Sequence, residues 1–236
     1  MDWKPHAERL AAEATPPVSR WRDAVASTPR HVFVPRWWEP TGSGTWALRD
    51  GPADEAAWLR AAYSDTSLVT RVGPLHADRA GPEDRPRGVP TSSSTMPGLV
   101  VRMLRHGLLY DGADLGLIGT GTGASTALAS RRLGCKHVTA MDVDPYLTGT
   151  ATDRLASLGM SPQVVTCDVT GPLPGDFDRI VSMVALRNLA GVTAAVRPGG
   201  HRLNAEGGLP IYGSRVHITP DGVCHFTRGK WSASYG

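Results

Sequence analysis

Cysteine is scarce in this chain of 236 residues: Cys135, Cys167 and Cys224 stand far apart, with no C-x-x-C pair. That excludes a disulfide framework and a thiolate zinc site, and it suits a reducing compartment. Long apolar runs are absent too. The N-terminus Met1-Asp-Trp-Lys-Pro-His6 has no hydrophobic signal core, and no stretch is long enough to span a bilayer. The chain is therefore expected to be soluble and cytoplasmic, with no membrane partner. An excess of one charge is also lacking. The 25 Lys and Arg against 22 Asp and Glu leave a net charge of +3, and no basic run marks a nucleic-acid surface. No Ser/His/Asp order, paired acids or metal-ligand cluster stands out, so neither a metal nor a strong general base is expected. The remaining composition, 41% hydrophobic and 20% charged, is that of a globular protein whose core needs no staples.

What the sequence has in quantity is glycine, with 27 residues, and its most informative use is Leu115-Gly-Leu-Ile-Gly-Thr-Gly-Thr-Gly123. This reads as a short buried strand entering a glycine turn that opens a helix near Thr122. Gly119, Gly121 and Gly123 remove Cβ atoms and permit φ > 0, and the free N–H groups of a helix start favour a polar ligand. A loop of this kind serves packing as well. His137-Val-Thr-Ala-Met141 is a second strand, and Asp142 stands at its tip, followed by Val143-Asp144-Pro145. An acid at that place in a doubly wound sheet accepts from both hydroxyls of a ribose. Gln163–Thr166 is a third strand, ending at Cys167-Asp168-Val169, where a carboxylate suits an adenine amine. Asp176–Ser182 makes a fourth strand. The turn Val196-Arg-Pro-Gly-Gly200 precedes a fifth, His201–Ala205. The series points to an adenosine-containing ligand. Helix capping is the plainer alternative for Asp142 and Asp168, and the expected role of Asp144, with Pro145 at the first helical position.

Toward the N-terminus, Pro5–Ala14 reads as a helix, and Ser19 is placed to cap a second over Arg20–Ser27. Pro29 then ends that helix and sets up an extended His31–Val34. From Arg36 to Pro90 glycine, proline and charge dominate, with Trp37, Trp38, Trp46 and Trp58 scattered through them. There Asp54–Ala62 is a short helix and Arg71–Pro90 a loop. Pro97–Leu109 is amphipathic, with Leu99, Val100, Met103 and Leu104 turned inward. Arg215–Thr219 and Val223–Thr227 pair as a hairpin through Pro220-Asp-Gly222. Residues 1–90 thus form a helical and loop-rich region, and 91–236 the ligand-binding domain.

With these marks the chain resembles a class I S-adenosylmethionine-dependent methyltransferase. It is more narrowly similar to the protein-L-isoaspartate O-methyltransferase family, over roughly residues 19–230. The residues that carry this are Pro29-Arg-His-Val-Phe-Val-Pro35, Ala62-Tyr-Ser-Asp65, Thr91-Ser-Ser-Ser-Thr-Met-Pro97 and Arg197-Pro-Gly-Gly200. The serine run and Pro35-Arg-Trp-Trp38 look more like the actinobacterial branch that tailors ribosomally made peptides such as lanthipeptides. The resemblance implies an α/β fold: a Rossmann-like seven-stranded sheet, helices on both faces and an N-terminal extension. It implies S-adenosyl-L-methionine as cofactor, held by Pro97, Gly119, Thr120, Gly121, Thr122, Gly123, Asp142, Val143, Asp168 and Val169. The partner it implies is a peptide or protein with an acidic side chain, methylated on Asp or isoAsp. General isoaspartyl repair, small-molecule methylation and non-catalytic cofactor binding stand as alternatives.

The family's Ser-x-Pro hydroxyl falls on Thr95-Met96-Pro97, so Thr95 is the candidate catalytic residue and, with Ser94, the candidate substrate contact. Capping the helix that starts at Pro97 is the competing use of Thr95. Ser92, Ser93 and Ser94 line a channel or form a solvated loop, and the tryptophans line a groove or anchor their segment. Leu117 is a departure, because the family places an acid two residues before the first loop glycine. Met96 is another, at a position often polar or small.

Overall fold

A computed structural model describes residues 1–186, 188–206, 212–218 and 224–228. The helices are α1 Lys4–Ala14, α2 Arg22–Ser27, α3 Arg30–Phe33, α4 Glu55–Ala62, α5 Pro97–His106, α6 Ala124–Leu133, α7 Pro145–Ser157 and α8 Ala190–Ala194. The strands of the first half are β1 Arg36–Pro40, β2 Trp46–Asp50, β3 Leu68–Val72, β4 Leu75–His76 and β5 Pro90–Ser94. Those of the second half are β6 Leu115–Ile118, β7 Val138–Asp142, β8 Gln163–Thr166, β9 Phe177–Ser182, β10 Val196–Glu206, β11 Tyr212–Ile218 and β12 Cys224–Arg228. The chain divides into two compact units: Met1–Val101 with Gly121–Leu128, and Arg102–Thr120 with Ala129–Gly236.

The second unit contains a seven-stranded sheet in the order β12-β11-β10-β9-β6-β7-β8. β10, β9, β6, β7 and β8 run parallel, and β11 and β12 add antiparallel to the β10 side. This is the Rossmann-like α/β fold of the methyltransferases. All four residues of β6 are buried, as a central parallel strand requires. On one face Ile118, Met141, Phe177 and Ile180 pack with Val192 of α8. On the other lies Val181, close enough to Gly107 after α5 that a Cβ there would approach it to 2.9 Å. At the amino ends of the strands, Asp114 accepts from His137 at 2.9 Å and from Arg197 at 2.8 Å, and Arg197 also meets Asp178 at 3.2 Å. The hydrogen bonds from His137 and Arg197 hold the Asp114 carboxyl below its usual range. The hairpin β11–β12 pairs as expected, while its connecting residues lie outside those described. Pro198-Gly199-Gly200 is not a turn ahead of the strand. β10 already begins at Val196, and the irregularity is a register shift against β9 between Val196 and His201.

The first unit is more regular than its composition announces, because Arg36–Ser94 builds a five-stranded antiparallel sheet. β2, β1, β3 and β4 are neighbours in that order, and β5 joins β3. The serine run therefore belongs to a strand. Trp38 is buried with Val72, Ala77 and Ala80 on one face. The indole N–H of Trp58 donates to the Val34 carbonyl at 2.7 Å, and that of Trp46 to Gly88 at 3.1 Å. The tryptophans are framework residues that stand in for aliphatic core in a glycine- and proline-rich stretch. His31–Phe33 is helical rather than extended, as part of α3. Burial decides this against the bias of Pro29: His31 shares a 2.6 Å hydrogen bond with the Tyr63 hydroxyl and packs edge-on to Trp58. No described helix is long and apolar enough to cross a membrane.

Candidate active site

In the second unit β6 is flanked by β7 and β9, so the chain leaves it toward one side and later returns on the other. Open α/β sheets bind ligands at such a reversal, beyond the carboxyl ends of the strands. There the chain turns at Gly119, with φ +87°, and the N–H groups of Gly119 and Thr120 both donate to the Met141 carbonyl, at 2.8 and 3.2 Å. A Cβ on Gly119 would come within 2.8 Å of Val184, which follows β9. The turn continues through Gly121, Thr122 and Gly123 into α6, with Thr120 and Thr122 buried and the Thr120 hydroxyl without a partner among the described residues.

Asp142 ends β7, half-buried, and its Oδ1 accepts from the Asp144 N–H at 3.1 Å. Asp144 is the cap foreseen for it: its Oδ1 accepts from Tyr146 at 2.9 Å, with Pro145 opening α7. Val143 between them is left 69% exposed, an apolar side chain facing solvent beside the acid. Asp168 follows β8, exposed, and its Oδ1 accepts from the Thr170 N–H and hydroxyl at 2.9 and 2.8 Å. Those two bonds lower its pKa. Val169 packs against the core cluster under α8. Burial, then the charges of Asp168 and Asp142, push the Cys167 thiol up, so it is no nucleophile at neutral pH. Leu117 is fully buried within β6. Among the described residues no group of His, Cys, Asp and Glu is placed to hold a metal.

In the first unit the segment Ser93–Pro97 carries the other candidates. β5 passes the glycine turn closely: a Cβ on Gly121, whose φ is +53°, would lie 3.7 Å from the Ser93 carbonyl. Ser94 is buried, with its hydroxyl unpartnered among the described residues. Thr95 does not cap α5. The Gly98 N–H is taken by Asp65 at 2.6 Å and the Met96 N–H by Ser67 at 3.0 Å, so the Thr95 hydroxyl has no hydrogen bond among the described residues.

Sequence reasoning missed what holds this segment. The guanidinium of Arg30 is buried and donates to five backbone carbonyls, those of Ala62, Ser64, Thr66, Ser94 and Thr95. Burial lowers its pKa to about 10, with Asp65 and Tyr63 opposing, so it stays charged at neutral pH. Arg30 stands in the quoted Pro-Arg segment, yet nothing local signals acceptors more than thirty residues away.

A parallel sheet with this reversal, a glycine turn beyond its central strand and an acid on the next strand are the marks of the class I methyltransferase fold, whose cofactor is S-adenosylmethionine. Residues 117–203 match the family model described as a methyltransferase domain. Among solved structures, the chain is similar to a protein-L-isoaspartate O-methyltransferase, with a TM-score of 0.67 at 16% identity over 99% of this chain and 66% of that one. It is also similar to a Plasmodium falciparum protein described as a protein-L-isoaspartate O-methyltransferase and solved with S-adenosyl-L-homocysteine. The TM-score there is 0.65 at 12% identity, over 97% of this chain and 94% of that one. Both likenesses establish fold. Among curated proteins, 74 residues are 39% identical to the ribosomal protein L11 methyltransferase of Pelobacter propionicus. That alignment takes in 30% of this chain and 23% of its relative's length.

Proposed function

We propose that this chain transfers a methyl group from S-adenosylmethionine to a side-chain carboxylate, Asp or isoAsp, of a peptide or protein. The observation that carries the reading is the uncommitted hydroxyl of Thr95. Asp65 and Ser67 have taken over the capping of α5, and Arg30 clamps the Thr95 carbonyl, so the hydroxyl is held yet available. A fixed O–H donor suits a carboxylate, which is ionised at neutral pH because its reference pKa is about 4. Such a nucleophile needs no strong base, and the rate comes from proximity, orientation and exclusion of water. The structural neighbours described as isoaspartate O-methyltransferases support the same acceptor.

The residues present fit the cofactor. The turn beginning at Gly119 has no side chain at Gly119, Gly121 or Gly123, Asp142 suits the ribose hydroxyls, and the bare face of Val143 suits the adenine. Asp168 has committed Oδ1 to Thr170, which leaves Oδ2 for the adenine amine. When bound, the cofactor supplies an electrophilic methyl group on a positively charged sulfur. Leu117 is buried where the family places an acid, so β6 would supply no carboxylate for the methionine end. The narrower reading, tailoring of a ribosomally made peptide, rests on the resemblance of the serine run and Pro35-Arg-Trp-Trp38, since Trp37 and Trp38 are themselves buried.

Product chemistry tests the acceptor. A carboxyl ester loses its methyl as methanol under mild base and leaves acid or succinimide. An N-methyl group survives that treatment. The partial match to a ribosomal protein L11 methyltransferase keeps other protein acceptors as the second reading. Mass spectrometry of the methylated peptide before and after base decides between them, and a base-stable methyl rejects carboxyl transfer.

Thr95→Val is expected to lower kcat by about 10- to 100-fold, the range of a hydrogen bond to a charged group. Melting temperature and affinity for S-adenosylhomocysteine should stay unchanged, because the hydroxyl supports neither cap nor core. Unchanged kcat at saturating substrate would remove Thr95 from the mechanism.

A further inference from the structure

Between α4 and the face of β1–β2 turned away from the Trp38 core lies a cleft of about 720 Å³. Its lining includes Trp37, Glu39 and Arg49 from the sheet and Ala57, Arg60 and Ala61 from α4; at one end stand Ser64 and Thr66. The acids around it are engaged. Glu39 accepts from Arg49 at 2.7 Å and from the Trp37 indole at 3.2 Å. Asp50 pairs with Arg36 at 3.2 Å, and Asp54 caps α4 through Ala57. Arg60, by contrast, makes no ion pair or hydrogen bond among the described residues, although it lines the same space. Among the described residues Arg60 is therefore the one guanidinium lining the cleft that no carboxylate holds. Ala57 and Ala61, one turn apart on α4, leave room for a ligand's backbone to lie against the helix.

The cleft also lies beside the segment that carries the proposed acceptor contact. Thr66 at its end and Thr95 are joined through one nitrogen of Arg30, whose Nη2 donates to their carbonyls at 2.9 and 3.4 Å. Leu68, which also lines the cleft, pairs with Ser94 across β3–β5. A peptide whose reacting carboxylate meets Thr95 can continue as an extended chain past Thr66 into this space.

We propose that the cleft binds the flanking part of the peptide substrate and that Arg60 recognises an acidic side chain a few residues from the methylated one. The inference rests on the reading of a peptide acceptor and makes Arg60 a specificity residue rather than a catalytic one. Ion pairing in a partly desolvated cleft changes affinity more than turnover, so the effect belongs in KM and Kd.

The test uses a fluorescein-labelled, C-terminally amidated octapeptide with one isoaspartyl residue and two glutamates, and the same peptide with glutamine for both glutamates. Fluorescence anisotropy, with S-adenosylhomocysteine present, is expected to show at least about tenfold tighter binding of the glutamate peptide to the full chain. R60E should abolish that preference, and A57W, which fills the cleft, should weaken both peptides at an unchanged melting temperature. Equal binding of the two peptides by the unmodified chain, or a preference that survives R60E, overturns the proposal. So does glutamine peptide that binds as tightly as the glutamate peptide once its C-terminus is a free acid, because Arg60 would then read the terminus. Charge-dependent binding without any methyl ester formed would reject the carboxyl-transfer reading while leaving the cleft assignment standing.

Discussion

Arg30→Met is expected to lower the unfolding free energy by at least about 4 kcal/mol, or to prevent folding. Five carbonyls from two stretches of chain, Ala62–Thr66 and Ser94–Thr95, converge on this guanidinium. Each buried acceptor left unpaired costs about 1–3 kcal/mol, and water entering the vacated space recovers only part of the sum. Arg30→Lys keeps the charge but replaces a planar fork by a point donor, and should recover less than half of the loss. Urea unfolding of the two variants beside the unmodified chain measures both numbers. A loss under about 1 kcal/mol for Arg30→Met would mean that the five contacts are incidental to the fold.

Asp142→Ala is expected to weaken S-adenosylmethionine and S-adenosylhomocysteine alike by about 1–3 kcal/mol, the scale of removing one partner from a polar pair. The carboxylate also accepts from the Asp144 N–H, so part of any change could come from a loosened turn ahead of α7. Asp142→Asn separates the two effects, since its amide oxygen still accepts from Asp144 while its NH₂ faces the ribose with the wrong polarity. Calorimetry should therefore show weak binding by both variants and normal melting for Asn alone. Failure of the unmodified chain to bind either ligand would end the methyl-transfer reading.

The sheet of the second unit was legible because its strands are short apolar runs with punctuation. Gln163–Thr166 forms a strand with the expected bounds, and Leu115–Ile118 is wholly buried. The glycine turn and the acid at the end of β7 were legible for the same local reason. The first unit was not. Its strands set charged residues, hydroxyls and proline among the apolar ones, and the partner that makes Pro90–Ser94 a strand is β3, some twenty residues back. The cap of α5 shows the limit most clearly. Local rules assign it to Thr95, the hydroxyl just ahead of Pro97, yet Asp65 supplies it from 33 residues away. A capping rule ranks residues near a helix start and carries no information about a side chain delivered by tertiary structure. The capping alternative, had it held, would have absorbed the hydroxyl on which the acceptor reading depends.

The first unit is not a continuous stretch of chain. It is built from Met1–Val101 and then takes Gly121–Leu128, after an excursion into the second unit. A ribosome releasing the chain from its N-terminus has therefore not delivered all of this unit until residue 128 has emerged. A nascent chain stalled at 101 lacks the eight residues that complete it, and the missing piece begins in the glycine turn. Proteolysis or gene truncation between α5 and β6 would leave an N-terminal fragment with the acceptor segment and without that turn. No single cut yields the first unit alone, because a fragment that reaches residue 128 also carries Arg102–Thr120 of the other unit.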